Sequence, residues 1–100
     1  MMPAPYQITP TFDETSLPVA IRNEHRTKDS VWGLLRVLEG EVRLIFADAD
    51  ESILVTPSNP AQIPPQAAHH VETSGSMRLQ VEFYREQPRE GSVQTWYNNG

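Results

Sequence analysis

The segment Trp32-Gly33-Leu34-Leu35-Arg36-Val37-Leu38-Glu39-Gly40-Glu41-Val42-Arg43-Leu44-Ile45-Phe46 sets the fold class. Both arms alternate with period 2, the repeat of a strand whose successive side chains point to opposite faces. Leu35 and Val37 share a face with Gly33, and Val42, Leu44 and Phe46 alternate with Arg43 and Ile45. Gly40 can adopt a positive φ, so the sequence predicts a hairpin over 32–47. Further along, Leu79, Val81 and Phe83 alternate with Gln80, Glu82 and Tyr84, which predicts a strand over 77–85. Shorter strands are predicted at 52–56, 61–64 and 69–73, with an acidic turn at 47–51 and breaks at 57–60 and 74–76. Upstream, 6–9 reads as extended and 10–16 as loop. Leu17 to Arg22 reads as a strand that Pro18 confines to an edge or a strand start. Strands at roughly 8–12-residue spacing with turns between them predict an all-β sandwich or barrel.

At 100 residues the chain is read as one domain, 1–100. It has no cysteine, which excludes disulfides, thiolate metal sites and a cysteine nucleophile. A net charge of −5 and no basic run argue against nucleic acid as a partner. No run approaches the ~20 apolar residues of a membrane span. Met1-Met2-Pro3-Ala4-Pro5 shows neither a basic nor an apolar signal region, so a cytoplasmic protein is expected. Neither a Gly-x-Ser-x-Gly elbow nor a glycine-rich phosphate loop is present.

The residues able to carry chemistry are His25, His69, His70 and Glu82. A carboxylate in the middle of an apolar strand must be paired, protonated or metal-bound. Two histidines and a carboxylate form the ligand set that holds Fe(II) and leaves coordination sites open. The plain reading stands beside it: three unremarkable histidines, and Glu82 facing water on an edge strand.

Three stretches together resemble a known family: Glu24-His25-Arg26-Thr27-Lys28-Asp29-Ser30-Val31-Trp32 running into the Gly40 hairpin, Ile63-Pro64-Pro65-Gln66-Ala67-Ala68-His69-His70-Val71-Glu72, and Val81-Glu82-Phe83-Tyr84. The family is the small cupin-like domain found alone or at the N-terminus of tellurite-resistance protein B. The resemblance covers about residues 12–86, with the terminal segments expected to pack outside. It implies a double-stranded β-helix, the cupin or jelly-roll barrel. It also implies one divalent metal ion (Zn, Fe, Ni or Mn) inside, held by His25, His69 and Glu82. The departures are Thr27 at the second motif-1 histidine, Gln66 at the motif-2 glycine and Ala68 at a tryptophan. Ala68 is expected to widen the pocket mouth. His70 follows His69 directly, so strand alternation points it outward, to a surface or an interface.

An inward Glu82 turns Leu79, Val81 and Phe83 outward, where the N-terminal segment, the tail or a second subunit must cover them, and a homodimer is expected. The alternative keeps that apolar face inside and solvates Glu82. Arg26 and Lys28 are read as solvated loop charges or as an anion lure at the pocket mouth. Trp32 is read as core, and Tyr84 as either a pocket donor or packing. The expected function is that of a metal-binding stress-response or binding module, related to tellurite resistance, that takes a small anion or metabolite at the metal. The alternatives are a metal-dependent dioxygenase or isomerase, and a metal-free structural barrel.

Overall fold

The computed structural model describes residues 3–47 and 51–93. Nine strands and one short helix lie among them. One sheet has the order β1(Gln7–Ile8)-β9(Arg78–Tyr84)-β4(Trp32–Glu39)-β7(Ala61–Ile63), and β2(Phe12–Asp13) also pairs with β9. The other has the order β3(His25–Arg26)-β8(Ala68–Thr73)-β5(Val42–Phe46)-β6(Glu51–Val55). All strand pairs are antiparallel. Among the described residues no strand pairs from one sheet into the other. The two sheets therefore enclose a core without joining into a closed barrel. Among the described residues no helix is long and apolar enough to cross a membrane.

The expected hairpin over 32–47 is not one. β4 bonds to β9 and β7, whereas β5 bonds to β6 and β8. The chain changes sheets at Gly40, whose φ is +75°. A Cβ there would lie 2.5 Å from the Ser76 carbonyl oxygen and 3.2 Å from the Met77 Cα. The two arms thus stack face to face. Leu35 and Val37 of β4 join Val42, Leu44 and Phe46 of β5 in one buried cluster. Both arms carry an apolar face, and stacking the two faces against each other removes both from water at once. The true hairpin joins β5 to β6, with Val42 opposite Val55 and Phe46 opposite Glu51. Part of the expected acidic turn at 47–51 lies outside the described residues, as do Trp96 and Tyr97.

The expected strand at 17–22 is instead a single helical turn, α1(Val19–Arg22). The Pro18 carbonyl accepts from Ile21 N at 3.0 Å, and Arg22 donates to the Glu14 and Leu17 carbonyls. Local bonds satisfy this backbone, with which no strand pairs among the described residues. Just before it, Asp13 Oδ1 accepts from both the backbone N–H and the hydroxyl of Thr15 and Ser16.

Past β9 the chain folds back over the outer face of its own sheet. Buried Gln62 donates to the Pro88 and Glu90 carbonyls at 2.8 and 2.9 Å. Ser92 N donates to the Pro60 carbonyl, and Gln62 N to the Ser92 carbonyl, both at 2.8 Å. Under this strap, Trp32, Leu34 and Tyr84 form a second small apolar cluster. Trp32 is buried as expected, but on the far side of its sheet from the main core.

Candidate binding cavity between the sheets

In the β3–β8 ladder His25 stands opposite His69. Their rings meet with centroids 4.2 Å apart and planes at 56°. His69 is only 4% exposed. Its Nδ1 lies 2.8 Å from the Ala67 carbonyl oxygen. A carbonyl only accepts, so Nδ1 carries the proton. Burial pushes the His69 pKa down to about 4. The Ala67 bond opposes this shift, while His25 and His70 reinforce it. The ring is therefore neutral at pH 7. His25 turns its Nδ1 to the Asn23 carbonyl at 3.3 Å.

Thr27 extends this wall. Its hydroxyl donates to the Pro64 carbonyl at 2.9 Å, and its own carbonyl accepts from Gln66 N at 3.0 Å. Gln66 stands where the resembled motif has glycine, and its φ is +61°. The backbone is left-handed at this position although the residue is not glycine. It is clamped by the bond to Thr27 and by Arg26, which donates to the Gln66 carbonyl at 2.9 Å.

The histidine pair opens on a cavity of about 310 Å³ between the sheets. Gly33, Leu35, Ile63, Val81 and Phe83 line it from one sheet, and His25, His69 and Val71 from the other. Tyr6, Arg26, Lys28 and Val31 also border it. Gly33 matters here because it adds no side chain to the wall. A Cβ at that position would meet the Ile63 side chain at 3.3–3.4 Å. Ala68, expected to widen the mouth, is not part of the lining. It sits opposite Arg26 in the ladder, one residue out of phase with His69, and is itself buried.

Glu82 is not brought to the histidines, and this corrects the expected metal set. Val81 and Phe83 line the cavity, so alternation turns Glu82 to the other face of β9. There Tyr84 OH donates to it at 2.7 Å and Arg36 Nε at 3.0 Å. Arg36 also reaches Glu90 at 2.6 Å. Burial alone would raise the Glu82 pKa, but the bonds from Arg36 and Tyr84 hold it below its usual range. Tyr84 is pushed up to about 12 by burial and by its bond to Glu82. Tyr84 is thus neither a pocket donor nor mere packing. It solvates a buried carboxylate.

Neither option foreseen for this strand describes it. The apolar side faces inward, yet Glu82 is paired beneath the strap and not left to water. With Leu79 and Val81 inside, the argument for a second subunit over that face falls away. Among the described residues no three His, Cys, Asp or Glu side chains gather where they could hold a metal ion. His25, His69 and Glu82 do not form one donor set, because the sheet lies between them.

His70 faces away from the cavity toward Glu72, at 3.3 Å. Gly33, Val81 and Phe83 join the site without a chemical signature in the sequence. Their one signal was the alternation in β4 and β9, which gives the spacing of a face but not its direction.

Comparison with known proteins adds identity to this geometry. The profile of the TehB-like domain family matches residues 7–81. The chain belongs to the TehB-like domain family. The structure of TehB from Haemophilus influenzae superposes with a TM-score of 0.73 at 28% identity. That alignment covers 83% of this TehB-like chain and 31% of the TehB chain, so the chain spans less than a third of that protein. A protein from E. coli strain K12 superposes with a TM-score of 0.75 at 24% identity, covering 87% of this chain and 93% of that one. The second likeness is one of fold. No curated protein matches the TehB-like chain.

Proposed function

We propose that this TehB-like domain is a binding module that takes a small organic molecule between its sheets, in a stress response linked to tellurite resistance. The observation that carries this reading is the composition of the cavity. Its walls are mostly aliphatic and aromatic, yet two histidines meet in it. Such a pocket removes an apolar body from water and uses a few polar atoms to orient it. A bare, strongly hydrated oxyanion would lose its water there, while the cations that border the cavity, Arg26 and Lys28, stand exposed and outside its apolar interior. Relation to TehB supports the tellurite link; the cavity chemistry favours an organic ligand over tellurite itself.

The strand orders also support the finer reading of the fold. Counting β1 and β3–β9 as eight consecutive strands, the sheets run 1-8-3-6 and 2-7-4-5, the arrangement of a double-stranded β-helix. In that arrangement the space between the sheets is the natural ligand site. The enzyme reading, a metal-dependent dioxygenase or isomerase, has less support. A metal held by two imidazoles would need its other ligands from the bound molecule or from solvent.

The test is NMR titration of the labelled chain with benzyl alcohol and, separately, with sodium tellurite. The expected result is saturable shifts at Ile63, Val71, Val81, Phe83 and His69 with the alcohol and none with tellurite. Shifts confined to the outer surface, or none with either probe, would overturn the cavity as the site.

A further inference from the structure

Three side chains of the cavity wall, His69, His25 and Thr27, share one property. His69 Nδ1–H points to the Ala67 carbonyl, His25 Nδ1 to the Asn23 carbonyl and the Thr27 hydroxyl to the Pro64 carbonyl. Each of these side chains spends a hydrogen on a backbone acceptor. Neutral imidazole carries one N–H and one lone pair, so His69 Nε2 is left as an acceptor. The Thr27 oxygen keeps its lone pairs. Among the described residues neither histidine Nε2 has a protein hydrogen-bond partner. His69 is nine-tenths buried and more, so its free lone pair is an unmet demand inside an apolar chamber.

From this we infer that the ligand of the inter-sheet cavity carries a hydrogen-bond donor head, a hydroxyl or N–H group, and not an anionic one. The inference rests on the cavity reading above and narrows its ligand class. A carboxylate or phosphate presents only acceptors, and it would set lone pairs against lone pairs at His69 and Thr27. A molecule with two adjacent donors, such as a vicinal diol, can satisfy His69 and a neighbouring acceptor together. Arg26 and Lys28, both exposed at the rim, are the groups an anion would have to use instead, outside the apolar chamber. A site built around buried acceptors rejects an isostere without the donor, because the acceptors then stay unpaired.

The experiment has two arms. The first reads the histidine tautomers of the free protein at pH 7.5 from long-range ¹H–¹⁵N couplings. The expected result is protonated Nδ1 and bare Nε2 at His69. A proton on His69 Nε2 overturns the inference whatever binds. The second arm titrates catechol, toluene and benzoate, which share a ring and differ in head group. Catechol is expected to bind at least about tenfold more tightly than either other probe, with a shift at His69 Nε2. In His69→Phe catechol should lose that advantage over toluene. Benzoate binding as tightly as catechol, with cavity shifts, would overturn the donor-head inference and leave the cavity reading standing. No cavity shift with any of the three would overturn both. Should His69→Phe fail to fold, the tautomer and the probe ranking in the unsubstituted protein still decide.

Discussion

His25 and His69 face each other across the β3–β8 ladder with ring centroids 4.2 Å apart, though 43 residues separate them in the chain. Only one of the two is fully buried, and that asymmetry shapes the pH response of the domain.

The folded His69 pKa of about 4 lies below the unfolded value of about 6.5. Between those values the unfolded chain binds the extra proton, so stability rises with pH. The contribution is complete above about pH 6.5 and is lost as pH falls toward 4. From pH 7.5 to 5 it amounts to about 2 kcal/mol. Urea unfolding at the two values should show this loss in the unsubstituted chain, and His69→Gln should flatten it. Asp13 is lowered to about 2 by its bonds to Thr15 and Ser16, so its share is lost only in more acid solution. Equal slopes for both chains above pH 5 would refute the burial of a neutral His69.

Glu82 serves the outer face. Glu82→Gln should lower unfolding free energy by roughly 1–3 kcal/mol, since it weakens charge-assisted bonds from Arg36 and Tyr84. Benzyl alcohol affinity should change by less than about twofold, because the substitution lies across the sheet from the cavity. A large drop in affinity at unchanged stability would return Glu82 to the site.

Filling the wall is the complementary test. Gly33→Val projects a branched side chain into the cavity beside Ile63. It should weaken benzyl alcohol binding by more than about tenfold while the chain stays folded. Circular dichroism and the titration, run on the same sample, check both halves.

Two backbone positions should respond in opposite senses. Gln66 holds a φ of +61° without being glycine, so Gln66→Gly should stabilise the domain by roughly 0.5–1 kcal/mol. Gly40→Ala should destabilise it by more than about 2 kcal/mol, through strain and a clash with the Ser76 carbonyl. Gly75→Ala, with nothing within 4 Å of its Cβ, is the control, expected within about 0.5 kcal/mol of the unsubstituted chain. Thermal unfolding ranks all three.

Local pattern determined a good deal by itself. Alternation in Leu35/Val37, Val42/Leu44/Phe46 and Leu79/Val81/Phe83 reports strand periodicity directly, because side-chain direction in a strand repeats every two residues. The all-β class, most strand positions and the pointing apart of His69 and His70 follow from that. Sheet membership does not. Gly40 permits a tight turn equally well within a sheet or between sheets, and only the long-range pairing of β4 with β9, and of β5 with β8, selects the crossing. The same limit governs Glu82. A period of two separates it from Val81 and Phe83 but says nothing about which side is inside. The tertiary structure decided that, because Arg36, Tyr84 and the returning strap meet the carboxylate on the outer face, and the inward face had apolar area to bury. The meeting of His25 with His69 is likewise a fact of the fold, since it depends on a β3–β8 register that no local spacing encodes.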